Sequence, residues 1–220
     1  MEGRGTTARY EIRELDPAEF GARLYQLIGV YAAAMRPPAE QLAGRHPIMV
    51  AHSSYPGFRA LIGTADDEVA GFCYGFHGAA GQWWHDRVNY GLAASHGQAT
   101  AKWWLADTFE LAELHVTPAC QGLGIGSNLL VNTTNRISER HVVLSTRDTE
   151  SVARRLYRSF GFTDLLTGFH FDGAAAAGPG QSSAAAAGPG QSSTEPPYAV
   201  MGAELPLLDV KPRAASPRRS

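Results

Sequence analysis

The stretch Leu111–Leu130, LAELHVTPACQGLGIGSNLL, restricts this chain more than any other part of it. An alternating apolar run ends at Val116, and Pro118 cannot continue a strand ladder. Gly122, Gly124 and Gly126 follow, and then an apolar helical pattern begins near Ile125. Glycines let the backbone turn sharply and approach a ligand without Cβ contacts. The helix start leaves unpaired N–H groups at the positive end of its dipole. A strand, a glycine turn and a helix in this order make an anion site suited to a phosphate or pyrophosphate.

The rest of the chain predicts an α/β fold with a mixed sheet. Tyr10–Leu15 alternates as a half-buried strand, and Asp16-Pro17-x-Glu19 is a helix start running to about Ala34. Arg36-Pro37-Pro38 stops that helix, and a weaker one is expected over about Ala39–Ala51. Phe58–Thr64 and Glu68–Gly75 predict two strands around a turn at Ala65-Asp66-Asp67. Gly78–Asp107 is less regular and rich in Trp. Its aromatics could wall a ligand pocket or simply pack against the domain.

Phe109–Val116 is the next expected strand, followed by a helix over Ile125–Glu139 and a strand over His141–Thr146. A helix capped by Asp148 or Thr149 comes next, with Val152, Leu156 and Phe160 on one stripe and Gly161 as its stop. Leu165–Phe171 and Pro197–Leu205 are the last predicted strands. Between them AAAAGPGQSS occurs twice, over 174–193, with no core-forming side chain. It predicts an overgrown hairpin loop. We therefore expect one domain over 9–208, with tails at 1–8 and 209–220.

A formal net charge of -2 gives no overall drive toward nucleic acid. No apolar run approaches the length of a membrane span, so no membrane partner is expected. Cys73 and Cys120 lack metal or disulfide spacing, and no metal site is expected. The expected setting is reducing and cytoplasmic.

Gln121-Gly122-Leu123-Gly124-Ile125-Gly126 resembles the Q/R-x-x-G-x-G/A signature of the GCN5-related N-acetyltransferases (the GNAT family). Ala153-x-x-Leu156-Tyr157-x-x-x-Gly161-Phe162 resembles that family's later segment at the expected distance, and Pro197–Met201 its final strand. The resemblance is specific over Leu111–Phe162 and only topological over Tyr10–Gly75. It implies a mostly antiparallel sheet, splayed between its fourth and fifth strands and flanked by helices, with acetyl-CoA as acyl donor in the splay.

The resemblance also implies site residues. Backbone groups around Leu114, His115 and Val116 would take the pantetheine arm. The amides of Gln121, Gly122, Leu123, Gly124, Ile125, Gly126 and Ser127 would take the pyrophosphate. Tyr157 matches the family's acid beside the leaving sulfur. A base for the amine would be Glu110 or Glu113, or water, with His115 a third candidate. Strand alternation puts the two carboxylates on opposite faces unless a bulge intervenes. Glu150 stands where the family often has Asn, and could cap the last helix instead.

The implied reaction is transfer of an acetyl group to a primary amine of a small molecule or peptide by direct attack. A homodimer is compatible with this reading. Two rivals stay open at this level: an acyl-CoA sensor without turnover, and a dinucleotide-dependent oxidoreductase on the same glycine turn. Against the second, Ser127 stands where a third glycine belongs.

Overall fold

The structure is a computed structural model and describes residues 10–171 and 196–208. The duplicated segment and both tails lie outside the described residues. One seven-stranded sheet has the order β1-β2-β3-β4-β5-β7-β6. Its strands are β1 (Tyr10–Leu15), β2 (Arg59–Ala65), β3 (Glu68–His77), β4 (Thr108–Val116), β5 (His141–Arg147), β6 (Thr163–Phe169) and β7 (Tyr198–Glu204). Among the described strands only β4 and β5 run parallel. Every other adjacent pair is antiparallel.

The first helix, α1 (Pro17–Met35), starts with the expected reciprocal cap. Asp16 accepts from the Glu19 N–H at 2.8 Å, and the Asp16 N–H donates back to the Glu19 carboxylate. The helix ends at Arg36, which takes a left-handed φ of 48° before the two prolines. The expected second helix is two: α2 (Ala39–Ala43) and α3 (Arg45–His52), broken at Gly44. Asp66 and Asp67 both take positive φ in the β2–β3 turn, a conformation Asp tolerates.

Four further expectations are corrected. The stretch after β3 forms two helices, α4 (Trp83–His96) and α5 (Gln98–Leu105), where irregular chain was expected. The helix after the glycine turn, α6 (Ile125–Thr134), stops short of the expected Glu139. The last helix, α7 (Val152–Ser159), is capped by Ser151, whose hydroxyl accepts from the Arg154 N–H at 3.1 Å. Asp148 and Glu150 are diverted to arginines, Asp148 to Arg154 and Glu150 to Arg158, each at 2.5 Å. Val152 is 64% exposed and so leaves the apolar stripe.

Three apolar layers cover the sheet. On one face α6 and α7 pack over Cys73, Phe109, Leu111, Val142 and Met201. On the opposite face α1 and α3 pack over Ile62, Phe72, Tyr74 and Phe76. On that same face α4 and α5 pack over Val143, Leu166 and Val200. Glu110 pairs with Phe76 on one side and Val143 on the other. It therefore lies where the two helical layers meet.

Candidate active site

Strand β4 touches β5 only over Thr108–Glu110, opposite His141–Val143. Beyond that point β5 stays with β7 along its whole length. β4 stays with β3, so the strands part and Leu111–Val116 has an open edge on the β5 side. Burial follows the opening: Thr108–Leu111 are buried, and Ala112–Val116 are only half-buried.

The open edge has a defined polarity. The Thr117 N–H donates to the Ala70 carbonyl at 2.8 Å. Antiparallel pairs alternate, so His115 turns its backbone groups to β3, while Leu114 and Val116 turn theirs into the splay. The backbone of His115 is thus separated from the other two expected cofactor contacts. The Val116 carbonyl accepts from the Gln121 side-chain amide at 3.1 Å. That bond ties the turn to the strand edge.

After a short 3₁₀ turn at Pro118–Cys120, Gly122 and Gly124 take φ of 81° and 89°. Gly124 is the left-handed N-cap of α6 (Ile125–Thr134), and no side chain caps that end. The first N–H groups of α6 therefore have no intrahelical or capping partner. Gln121 and Gly122 are exposed, and Gly124, Gly126 and Ser127 half-buried. The helix start is pinned from below: a Cβ on Gly63 would meet Ile125 Cγ2 at 2.8 Å. Asn128 adds a tie, donating to the Tyr10 hydroxyl at 2.6 Å. A row of open backbone groups leading to an uncapped helix start fits an extended chain that ends in a diphosphate.

The carboxylates do not keep strict alternation. The β3–β4 register slips between Tyr74 and Gly75, leaving Ala112 as the extra residue of a bulge. Glu113 then opposes Tyr74, and Glu110 opposes Phe76. Partners directly across a ladder share a face, so both carboxylates point to the α1–α3 side, with His115 opposite Phe72. Gly75 permits this close approach: a Cβ there would lie 2.2 Å from the Glu110 carbonyl oxygen.

The two carboxylates differ sharply in environment. Glu110 is 5% exposed, and its Oε2 has no hydrogen-bond partner. Burial pushes its pKa up to about 8. Burial also pushes Glu113 upward, but Arg45 and His115 together outweigh it and hold the carboxyl below its usual range. Arg45 Nη1 lies 2.5 Å from Glu113 Oε1, and His115 Nε2 bonds Oε2. Around them Arg45 Nη2 donates to the Tyr31 hydroxyl at 2.9 Å, and His52 Nδ1 lies 3.1 Å from the Tyr74 hydroxyl. Burial drives the His52 pKa down to about 4.

Tyr157 sits on the other face, in the α6–α7 layer with Leu111 and Cys73, its ring 5.4 Å from that of Phe162. Burial, then Cys73 and Glu113, raise its phenol pKa. Tyr157 and the carboxylates are therefore on opposite sides of the sheet, with the splay between them.

Arg45, Tyr31, His52 and Tyr74 were missed as site residues. Tyr31 matches a core position of α1, and nothing local marks Arg45 as the partner of a residue 68 positions away. The Trp-rich helices settle mainly as packing. Trp84 Nε1 donates to Ser145 Oγ at 3.0 Å, Trp83 lies tilted against Phe171, and Trp104 lies against His141. Among the described residues no His, Cys, Asp and Glu group could hold a metal ion. Among them, too, no helix is long and apolar enough to cross a membrane.

Comparison with known proteins agrees with this geometry. The acetyltransferase (GNAT) domain model matches residues 56–164. The GCN5-like protein acetyltransferase Rv2170 of Mycobacterium tuberculosis is 34% identical over 186 residues, covering 73% of this chain and 90% of that protein. Among solved structures, the ribosomal-protein-alanine N-acetyltransferase of Brucella melitensis shares the fold with a TM-score of 0.54 at 16% identity, over 89% of this chain and 99% of its own. The paiA N-acetyltransferase of Thermoplasma acidophilum, solved in complex with coenzyme A, shares it with a TM-score of 0.51 at 16% identity, over 89% and 99%. The splayed sheet, the glycine turn and a relative matched across most of its length converge: the chain belongs to the GCN5-related N-acetyltransferase family.

Proposed function

We propose that this chain transfers the acetyl group of acetyl-CoA to a primary amine of a protein or small molecule, by direct attack and with Glu110 as the base. Family membership makes acetyl-CoA the acyl donor. The observation that carries the choice of base is the unpartnered Glu110 Oε2, buried at the root of the splay. A carboxyl with pKa about 8 sits near the value that suits a general base at neutral pH. Glu113 is a poor base because both its oxygens are engaged, one by Arg45 and the other by His115.

In this reading Leu114 and Val116 hold the pantetheine by added-strand hydrogen bonds, and the turn from Gln121 to Ser127 holds the diphosphate. The amine approaches from the α1–α3 side and gives a proton to Glu110 as its nitrogen attacks the thioester carbonyl. The new C–N bond forms and the C–S bond breaks. The thiolate leaves on the α6–α7 side, where the Tyr157 hydroxyl donates to it as charge develops. The named relative is a protein acetyltransferase, which favours a protein amine. Both cysteines are free, which fits a reducing, cytoplasmic setting.

The test is acetyl-CoA-dependent thiol release across a panel of small amines and lysine peptides, alongside calorimetric titration with acetyl-CoA. Glu110→Gln and Tyr157→Phe should each lose rate while keeping acetyl-CoA affinity. A wild-type protein that binds acetyl-CoA but releases thiol with no amine is a sensor, and the enzyme reading fails.

A further inference from the structure

We propose that Arg45 recognises the acceptor, and that the acceptor carries a carboxylate that can lie within a few ångströms of its reacting nitrogen. The inference deepens the acetyl-transfer reading and rests on it.

Glu113 is closed to a ligand. One oxygen takes Arg45 and the other takes His115, and its side chain is 10% exposed. Arg45 is not closed in the same way. Its bonds to Glu113 and to the Tyr31 hydroxyl engage Nη1 and Nη2, while a guanidinium carries five N–H donors. Its side chain is 26% exposed, and its guanidinium is fixed 4.3 Å over the Tyr31 ring. Of this ion pair, Arg45 is therefore the more accessible member to an incoming molecule. Nor does the cluster need to exist for stability. A buried ion pair gains little over apolar side chains of the same volume, which would dock α3 on β4 equally well.

The spacing matches a bifunctional ligand. Glu110 and Glu113 oppose Phe76 and Tyr74, two residues apart on β3, so they stand roughly 7 Å apart along one face. An amine delivered to Glu110 leaves a group only a few ångströms away within reach of Arg45. A planar fork held in place by an aromatic ring is matched to a carboxylate rather than to a second cation. Nearby, burial holds His52 neutral, so it supplies no competing positive charge. The carboxylate could belong to an amino-acid-type small molecule or to an acidic residue flanking a lysine in a peptide.

The experiment compares paired acceptors that differ only in the carboxylate. One arm uses β-alanine against propylamine; the other uses a lysine peptide flanked by Asp against the same peptide flanked by Asn. We expect kcat/KM to favour the carboxylate member by roughly 10- to 100-fold, mostly through KM, in the arm that holds the true source. That ratio should fall to about one in Arg45→Gln and be partly kept in Arg45→Lys. Arg45→Gln leaves the buried Glu113 carboxylate without its arginine, so the double variant Arg45→Gln/Glu113→Gln, which removes that charge as well, must show the same collapse. A wild-type ratio near one in both arms overturns the proposal, as does a ratio that survives loss of Arg45. If the wild type binds acetyl-CoA yet acetylates nothing, the transfer reading fails by itself. Titration of β-alanine and propylamine into the coenzyme A complex then decides on Arg45, for or against, by whether β-alanine binds more tightly.

Discussion

Replacing Glu110 by Gln should stabilise the protein at alkaline pH while removing its chemistry. In the unfolded chain this carboxyl loses its proton near 4.5; in the folded protein it holds the proton until about 8. Between those values the unfolded state has released a proton that the native state retains. Stability therefore falls as pH rises through that window, and this contribution is flat on either side of it. At about 1.4 kcal/mol per tenfold change, the full span amounts to something on the order of 5 kcal/mol. The residue is only 5% exposed, so solvent screening does not reduce it much.

Gln keeps the shape and cannot ionise. Its amide adds a cost of about 1–3 kcal/mol for a buried unpaired donor, but that cost does not depend on pH. Urea unfolding of both proteins at a series of pH values isolates the difference, since every other group titrates alike in the two. The variant should gain on the wild type steadily from about pH 5 to about pH 8 and then hold its lead. In parallel, wild-type kcat/KM should rise with pH through about 8. The variant should lack that limb and turn over roughly 100- to 10,000-fold more slowly. A stability difference that stays constant with pH would mean Glu110 is already ionised in the fold, and the assignment of the base would fall with it.

Three further outcomes follow from the same geometry. Glu113→Gln strands Arg45 in a half-buried site and should cost about 3 kcal/mol by urea unfolding, yet keep the rising pH–rate limb; loss of that limb would transfer the base role to Glu113. Gly124→Ala forces a Cβ into φ of 89° and to 3.3 Å from the Tyr10 hydroxyl, so acetyl-CoA affinity by calorimetry should drop by roughly tenfold, with about 1–2 kcal/mol of stability lost. Gly75→Ala places a methyl 2.2 Å from a backbone oxygen and should abolish the bulge, costing about 3 kcal/mol or more by thermal unfolding; a fully stable variant would show that the β4 bulge is not held by this close approach.

Much of this molecule was legible as a string because its signals are local. The cap at Asp16 and Glu19, the stop at Arg36-Pro37-Pro38, the positive-φ glycines at 122 and 124 and the apolar alternation of β4 each depend on residues within a turn or two. A cap or a glycine turn is chosen by short-range sterics and hydrogen bonds, so it can be recognised without knowing what lies across the molecule. Where competing local signals were equally good, the result went elsewhere. Ser151 won the cap of α7 because Asp148 and Glu150 had arginine partners that are visible only once the helix and β6 are in place.

The chemistry was decided at longer range. Glu110 and Glu113 are equivalent as letters on one strand, and period-two alternation even puts them on opposite faces. The tertiary structure gave one of them a buried position between two helical layers, with one oxygen unpartnered, and the other an arginine from α3 and a neighbouring histidine. A pKa depends on burial and on charges a few ångströms away. Those come from elements far off in the chain, so the difference between the two carboxylates is set only when the sheet closes on its bulge.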